Sequence, residues 1–260
     1  SLVGHAMNRL SAQRIQELSA DPAHCTRPFR MSPIDFSRPS IHAHFTAPYH
    51  TPLYTRLSDA QRLRYNQLSG MKVNEQFMLL ERDFADRILA KLPRHPALAA
   101  RPEMIACLST MMKEEQCHHD MFRDLNQACL PEIYAHTDRY FSKLGRLTTL
   151  SIRLATSLYQ HLTCLLWFLL AVEEYSVGFS RAMMRSSQTA TLGRLEPTFL
   201  RVHAEHVKDE IRHVHIEAQL VEACYASRGK LSRCVNAYLF DVLMTYVAIP
   251  HAAVGIIAHL

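Results

Sequence analysis

The stretch His203-Ala-Glu-His206-Val-Lys-Asp209-Glu210-Ile-Arg212-His213 has the residue types and spacing of a metal-ligand strip. In an α-helix each residue advances about 100°, so Glu210 lies about 40° to one side of His206 and His213 about 20° to the other. All three side chains then fall within an arc of roughly 60° on successive turns. Two imidazoles and a carboxylate suit Fe, and Mn is accepted by the same donors. A second strip is Glu115-Gln-Cys-His118, where positions i and i+3 share a face and can reach one ion. His203, one turn before His206, is an alternative ligand. His119 and His215 read as solvated or supporting groups. Asp209 and Arg212 have two readings of equal weight. Either they orient ligand histidines on a neighbouring helix, or they form an ordinary surface ion pair at i, i+3.

Glu-x-x-His on each of two helices, with one further Glu from each of two others, is the ligand set of ferritin-like di-iron carboxylate bundles. Two helical stretches offer that further Glu. In the first, Glu75 and Glu81 compete. They lie about 240° apart around a helix, so both cannot face one core. Glu81 sits among Phe77, Met78, Phe84 and Ile88, where a carboxylate needs a compensating partner, and is preferred. In the second, Glu173 and Glu174 adjoin the apolar run Leu162 to Val172, and the sequence barely separates them. Glu174, beside Trp167, Leu170, Ala171 and Val177, is taken, with Glu173 as the substitute.

The elements that must position these groups are long helices. Ser58 is an N-cap with Asp59 in the first turn, and a helical pattern runs from there to Pro93, with Gly70 marking a bend. Pro102 opens a helix that runs to about Cys129. A continuous pattern from Leu150 to about Met184 predicts one long central helix, apolar on nearly all sides between 162 and 172. Pro197 opens the next, ending near Arg228 with Gly229 at C′. A last helix runs from Ser232 to about Ile249, broken by Pro250. Cys25 to Pro52 holds Pro28, Pro33, Pro39, Pro48 and Pro52 and reads as extended chain. The expected fold is all-α, a ferritin-like four-helix bundle core with accessory helices. Residues 1–56 form an N-terminal wrapping segment on a single helical domain of residues 57–260.

Composition narrows the function classes. The chain has 260 residues, 48% hydrophobic and 20% charged, with 7 Gly and 12 Pro, which excludes fibrous and mostly disordered proteins. The apolar run is too short for the roughly 20 residues that span a bilayer. His5, Arg9 and Arg14 interrupt any signal-peptide apolar region. Seven Cys without a CxxC pattern favour reduced thiols and a cytoplasmic location. A net charge of +5 is weak for nucleic acid, and none is expected as a partner. Sixteen His is many for this length, which fits helices built to present imidazole.

The order Glu81, Glu115-x-x-His118, Glu174, His206-x-x-x-Glu210-x-x-His213 resembles the p-aminobenzoate N-oxygenase family of non-haem dimetal oxygenases. The string His206-Val-Lys-Asp-Glu210-Ile-Arg-His213 is similar to that family's H-V-x-D-E-x-R-H signature, with its additional His one turn before the usual E-x-x-H. The stretch Leu57-Ser-Asp-Ala-Gln-Arg-Leu-Arg-Tyr-Asn-Gln-Leu is similar to the start of the family's first long helix, and the resemblance spans roughly residues 55 to 250. It implies seven ligands: Glu81, Glu115, His118, Glu174, His206, Glu210 and His213, with no catalytic residue beyond the metal centre. It implies two Fe ions, O2 as co-substrate, an external electron donor such as a reductase, and N-oxygenation of an amine toward hydroxylamine, nitroso or nitro products. A C–H hydroxylase or desaturase on the same core, and a ferritin-like metal-handling protein, are the competing classes. Met78, Met111, Met112, Phe122, Leu170 and Val177 are candidate pocket residues by helical spacing. No Arg or Lys can be placed at the pocket mouth. A pI near 8.9 is compatible with an acidic carrier protein presenting the amine. A homodimer is expected from the resemblance and from the apolar helical surface of Tyr238 to Ile257.

Overall fold

The computed structural model describes residues 9–27, 29–226 and 228–248, with side chains in the last helix described to residue 245. Among the described residues the regular structure is helical: α1 (Ala12–Ala20), α2 (Pro52–Arg56), α3 (Asp59–Met78), α4 (Asp86–Leu89), α5 (Pro102–Cys129), α6 (Pro131–Tyr134), α7 (Arg146–Ser157), α8 (Cys164–Arg185), α9 (Pro197–Ala226) and α10 (Lys230–Ala248). A π-helical segment, Leu79–Ala85, joins α3 to α4 without a break. The core is a ferritin-like four-helix bundle of α3 with its π extension, α5, α8 and α9. The α8–α9, α3–α5 and α5–α9 pairs form its main interfaces. Among the described residues no helix is long and apolar enough to cross a membrane.

Local chemistry explains the helix starts. Ser58 Oγ accepts from Gln61 N while the Gln61 side chain accepts from Ser58 N, a capping box. Pro102, Pro131 and Pro197 each stand at the first position of a helix, where the missing N–H would have no partner.

Four expectations are corrected. The helix expected from Leu150 to Met184 is two helices, broken at residues 158–163. A residue far away in sequence enforces the break: Asn236 on α10 accepts from Cys164 N at 2.9 Å and donates to His161 O at 3.1 Å. Gly70 marks no bend. It lies inside α3, and a Cβ there would stand 2.6 Å from Ser40 Cβ and 3.1 Å from Phe199, so its role is to let the N-terminal chain cross close to the helix. Gly229 lacks the positive φ expected of a C′ glycine; the positive-φ glycine among the described residues is Gly193, in the α8–α9 loop. The final helix begins at Lys230, and the expected break at Ile249 and Pro250 lies outside the described residues, as does the part beyond residue 248 of the stretch Tyr238 to Ile257 invoked for dimerisation.

The chain before α3 lies against the bundle. Asn66 accepts from Ser40 N and Ile41 N and donates to Ile41 O, holding that stretch on α3. Thr26 donates its hydroxyl to Glu205 O and its N–H to Asp209 Oδ1. Early residues therefore contact α9 beside the ligand strip.

Candidate metal centre

Six of the seven expected side chains converge in the middle of the bundle. From α5, Glu115 and His118 meet Glu210 and His213 from α9, with one donor atom of each within 4.8 Å of the others. His118 Nδ1 lies 3.2 Å from Glu210 Oε1, and His213 Nδ1 lies 3.2 Å from Glu115 Oε1. A second group joins Glu81, His118 and His206. His206 Nε2 stands 3.2 Å from Glu81 Oε1 and 3.1 Å from Glu210 Oε1. Glu210 thus touches all three imidazoles. Glu81 comes from the π-helical segment, whose wider turn changes its phase relative to α3 upstream.

The seventh expected residue is corrected. Glu174 is exposed, whereas Glu173 is buried beside Glu210. Leu166, Leu169, Ser176 and Ser180, at helical spacing from Glu173, are all buried. Trp167, which drew the choice toward Glu174, is 40% exposed. The argument about Glu75 also needs revision. Glu75 is fully buried, but on another side of α3, where it accepts from Tyr134 Oη and from the N–H groups of Tyr140, Phe141 and Ser142. One helix surrounded by chain has two buried faces, so both carboxylates find one.

Sequence reasoning missed Glu114 and Glu217. His118 and His213 each show one nitrogen to the cluster and give the other to a carboxylate across the α5–α9 interface, whereas the outer nitrogen of His206 faces Ser176 Oγ at 3.5 Å. His118 Nε2 donates to Asp209 at 2.9 Å, and His213 Nε2 donates to Glu114 at 2.9 Å. Arg212, only 2% exposed, joins the two braces, with Nη2 at 2.6 Å from Asp209 and 2.5 Å from Glu114. Its Nε also donates to Ser19 Oγ of α1. Such outer hydrogen bonds fix the tautomer, leaving the inner nitrogen as a lone pair. The buried-orienter reading of Asp209 and Arg212 therefore describes their geometry, and the surface ion pair does not. Glu217, one turn beyond His213, is 2% exposed with neither oxygen hydrogen-bonded. Its signal was the continued spacing 206, 210, 213, 217. His203 is buried apart from the cluster, near Asn74 Oδ1 at 3.2 Å and among the rings of Phe77, Phe122, Phe179 and Phe199. His119 is 8% exposed rather than solvated.

The electrostatics are those of a crowded anionic cage. Burial pushes Glu81 up to about 7. Burial and the neighbouring Glu210 carry Glu173 well above the ordinary carboxylate range, and burial with Glu115 does the same to Glu217. Burial opposes ionisation of Glu210 too, but His206 and the other donors outweigh it and hold the group well below. Burial likewise works against a charge on His118 and His213, yet their carboxylate neighbours raise both well above the usual imidazole value. His203, buried and next to His206, is driven the other way and stays neutral. The donor set fits divalent cations. Glu81 Oε2, both oxygens of Glu115, Glu210 Oε1, His118 Nδ1 and His213 Nδ1 are buried without hydrogen-bond partners, and all point toward shared space. Unpaired buried acceptors in such number are costly unless cations take them.

Access is apolar. A small cavity bounded by Phe77, Leu80, Ala85, Leu169 and Val172 touches Glu81, Glu173 and Glu210. Phe77, Leu80 and Val172 also line a larger cavity of about 410 Å3 between α3 and α8, closed on one side by Met244 of α10. None of the six pocket residues expected from spacing lines either cavity. Met111 and Phe122 are core, and Met78 faces a different cleft.

The sequence profile described as p-aminobenzoate N-oxygenase AurF matches residues 9–254. The chain belongs to the p-aminobenzoate N-oxygenase family. Membership makes this an oxygenase fold with a dimetal ligand pattern, and it extends the likeness through the proline-rich start, which no motif had covered. No curated protein matches the chain with significance.

Proposed function

We propose that this protein is an O2-dependent dinuclear iron N-oxygenase acting on an aromatic amine that carries no free carboxylate. What supports the reading is a buried cage of unpaired Glu and His donors in a member of an N-oxygenase family. Glu81, Glu115, His118, Glu173, His206, Glu210 and His213 would hold two metal ions. When bound, the ions supply the electrons and binding positions that activate O2. For the first oxidation the balance is one amine, one O2, two electrons and two protons, giving one hydroxylamine and one water, so an external reductant is needed.

The chain's own residues do the rest. Asp209 and Glu114 fix two histidine tautomers, and Arg212 pairs with both carboxylates inside the protein. Phe77 and Phe122 pack on the His206 ring and keep water from that side. Phe77, Leu80, Phe168 and Val172 make an apolar path that an aromatic ring can fill, with Gln76 and Tyr175 as its polar groups. Among the described residues lining that path there is no Lys or Arg. An anionic substrate would be desolvated there without a counter-ion, which is costly. The neutral amine is small enough to be used free, and an acidic carrier is not required by this path.

The test is product analysis under 18O2 with metal-loaded protein, a chemical or enzymatic reductant, and a panel of anilines with and without a carboxylate. Label on nitrogen, with uncharged anilines turned over faster, is the expected result. Label on carbon would make the protein a hydroxylase. Ferrous oxidation with mineral growth and no labelled product would make it a metal-handling protein.

A further inference from the structure

On the far side of α3 from the apolar path lies a second and larger cleft, of about 740 Å3. Phe77 and Leu80 face the path; Met78 and Arg82 face this cleft. Its walls carry Arg82, Arg87, Arg123, Arg139, Lys143 and Arg153, drawn from the π segment, α4, α5, the 137–144 loop and α7. Three carboxylates line it as well: Asp83, Asp120 and Asp138. Asp83 is engaged by Arg87 and Arg139, and Asp120 by Arg123. The cations therefore outnumber the acids two to one, and like charges from separate elements repel where they converge. A solvated surface spreads such charges apart.

Two further observations mark this as a built site. His119 lines the cleft, and its side chain, 11% exposed, sets Nδ1 3.7 Å from Asp120 Oδ1 on the same wall. The 137–144 loop, which carries Arg139 and Lys143, is pinned from behind by Glu75, which accepts three consecutive backbone N–H groups from it. A buried carboxylate is thus spent on holding a cationic wall in place, and a preorganised wall loses less entropy on binding. We infer that this cleft binds a multiply charged small organic anion, a phosphate ester or a polycarboxylate, separately from the amine at the metal centre. Five of the six cations are Arg, whose planar fork matches both oxyanions bidentately. The volume falls in the range of small-molecule sites. Apart from Met78, Leu144 and Ile152 the lining is polar, so the ligand is hydrophilic throughout and not the aromatic substrate.

Calorimetric titration of the metal-loaded chain with pyrophosphate and, separately, citrate tests this. Saturable one-to-one binding of at least one is expected, and which of the two binds tighter assigns the oxyanion. Lys143→Glu and Arg153→Glu, both at exposed positions, should each weaken it roughly tenfold or more, the loss expected for one charge-assisted contact. Arg181→Glu, an exposed charge on α8 away from the cleft, should leave it unchanged. Absence of saturable heat with either anion overturns the inference. So does binding that ignores Lys143→Glu and Arg153→Glu, which would place the anion on the metal ions. Equal weakening by all three reversals would reduce it to net charge.

Discussion

Replacing Glu173 by Gln, with Glu174→Gln beside it, separates a metal ligand from a buried acid of no consequence. In the metal-free protein burial and Glu210 favour the uncharged form of Glu173. A Gln amide has nearly the same shape and can donate to Glu210 as the acid does, so the metal-free melting temperature should barely move. With metal the two differ, because a neutral carbonyl is a poorer ligand than a carboxylate. If the parent is measured with free metal a thousandfold above its Kd, binding stabilises it by about 4.1 kcal/mol. A hundredfold weaker variant keeps only about 1.4 kcal/mol. For a chain of this size about 1 kcal/mol moves the melting temperature by roughly 2 °C, so the metal-induced gain should fall by about 5 °C. Glu174→Gln, at an exposed position, should keep the full gain, within about 0.5 kcal/mol. Differential scanning calorimetry of the parent and both variants, with and without ferrous ion under anaerobic conditions, reads all six melting temperatures. A lost gain in Glu174→Gln with a retained one in Glu173→Gln would refute the reasoning, as would no loss in either.

Arg212→Met strands Asp209 and Glu114 in the interior and should cost roughly 3–5 kcal/mol, the usual penalty for breaking a buried pair on one side, seen as a lower urea midpoint. Asp86 is half-buried, and burial with Glu115 nearby raises its pKa to about 6. Its folded value lies above its unfolded one, so ionisation weakens the fold as pH rises through 6. Asp86→Asn should then stabilise the metal-free protein at pH 7.5 and lose that advantage near pH 4, which a pair of thermal melts will show. Gly70→Ala must displace Ser40 or Phe199 and should cost about 1–3 kcal/mol in chemical unfolding. Val172→Phe narrows the passage shared by the two apolar cavities; aniline kcat/KM should drop about tenfold or more while iron content by elemental analysis stays at the parent level.

The bundle was readable because its signals are local. Ser58 with Gln61, the prolines at 102 and 197, and the i, i+3, i+4 spacing of Glu115, His118, His206, Glu210 and His213 each act within one or two turns. What stayed hidden depends on contacts between distant segments. Asn236 breaks the α7–α8 run from across the fold. The 137–144 loop gives Glu75 partners that no helix periodicity reveals. Glu173 and Glu174 differ by 100° on a helix whose surroundings are apolar on nearly all sides, so periodicity alone has little to choose between them. The π segment adds to the difficulty, since a phase count from α3 assumes a pitch that Leu79–Ala85 does not keep.

The pairing of His118 with Asp209 and of His213 with Glu114 has a consequence for how the site tolerates charge. The two braces cross the interface in opposite senses: Glu114 of α5 holds His213 of α9, and Asp209 of α9 holds His118 of α5. Arg212 closes the loop between them. Neither helix can slide or rotate without breaking both braces together, so the inner nitrogens keep their spacing although five buried Glu side chains, 81, 115, 173, 210 and 217, crowd the centre. The rigidity resides in the outer ring, and the inner ring is left with unpaired oxygens free to change partner. Metal ions that changed charge at this site, as the proposed function requires, would need that division. If Arg212 supplies it, Arg212→Lys should recover part of the folding stability lost in Arg212→Met, since a charge remains. It should still load metal poorly, because one ammonium cannot hold Asp209 and Glu114 in the fork geometry that the guanidinium provides. Equal metal loading by Arg212→Lys and the parent, measured by competition with a chelator, would show that charge alone suffices and that the bracing geometry does not set the site.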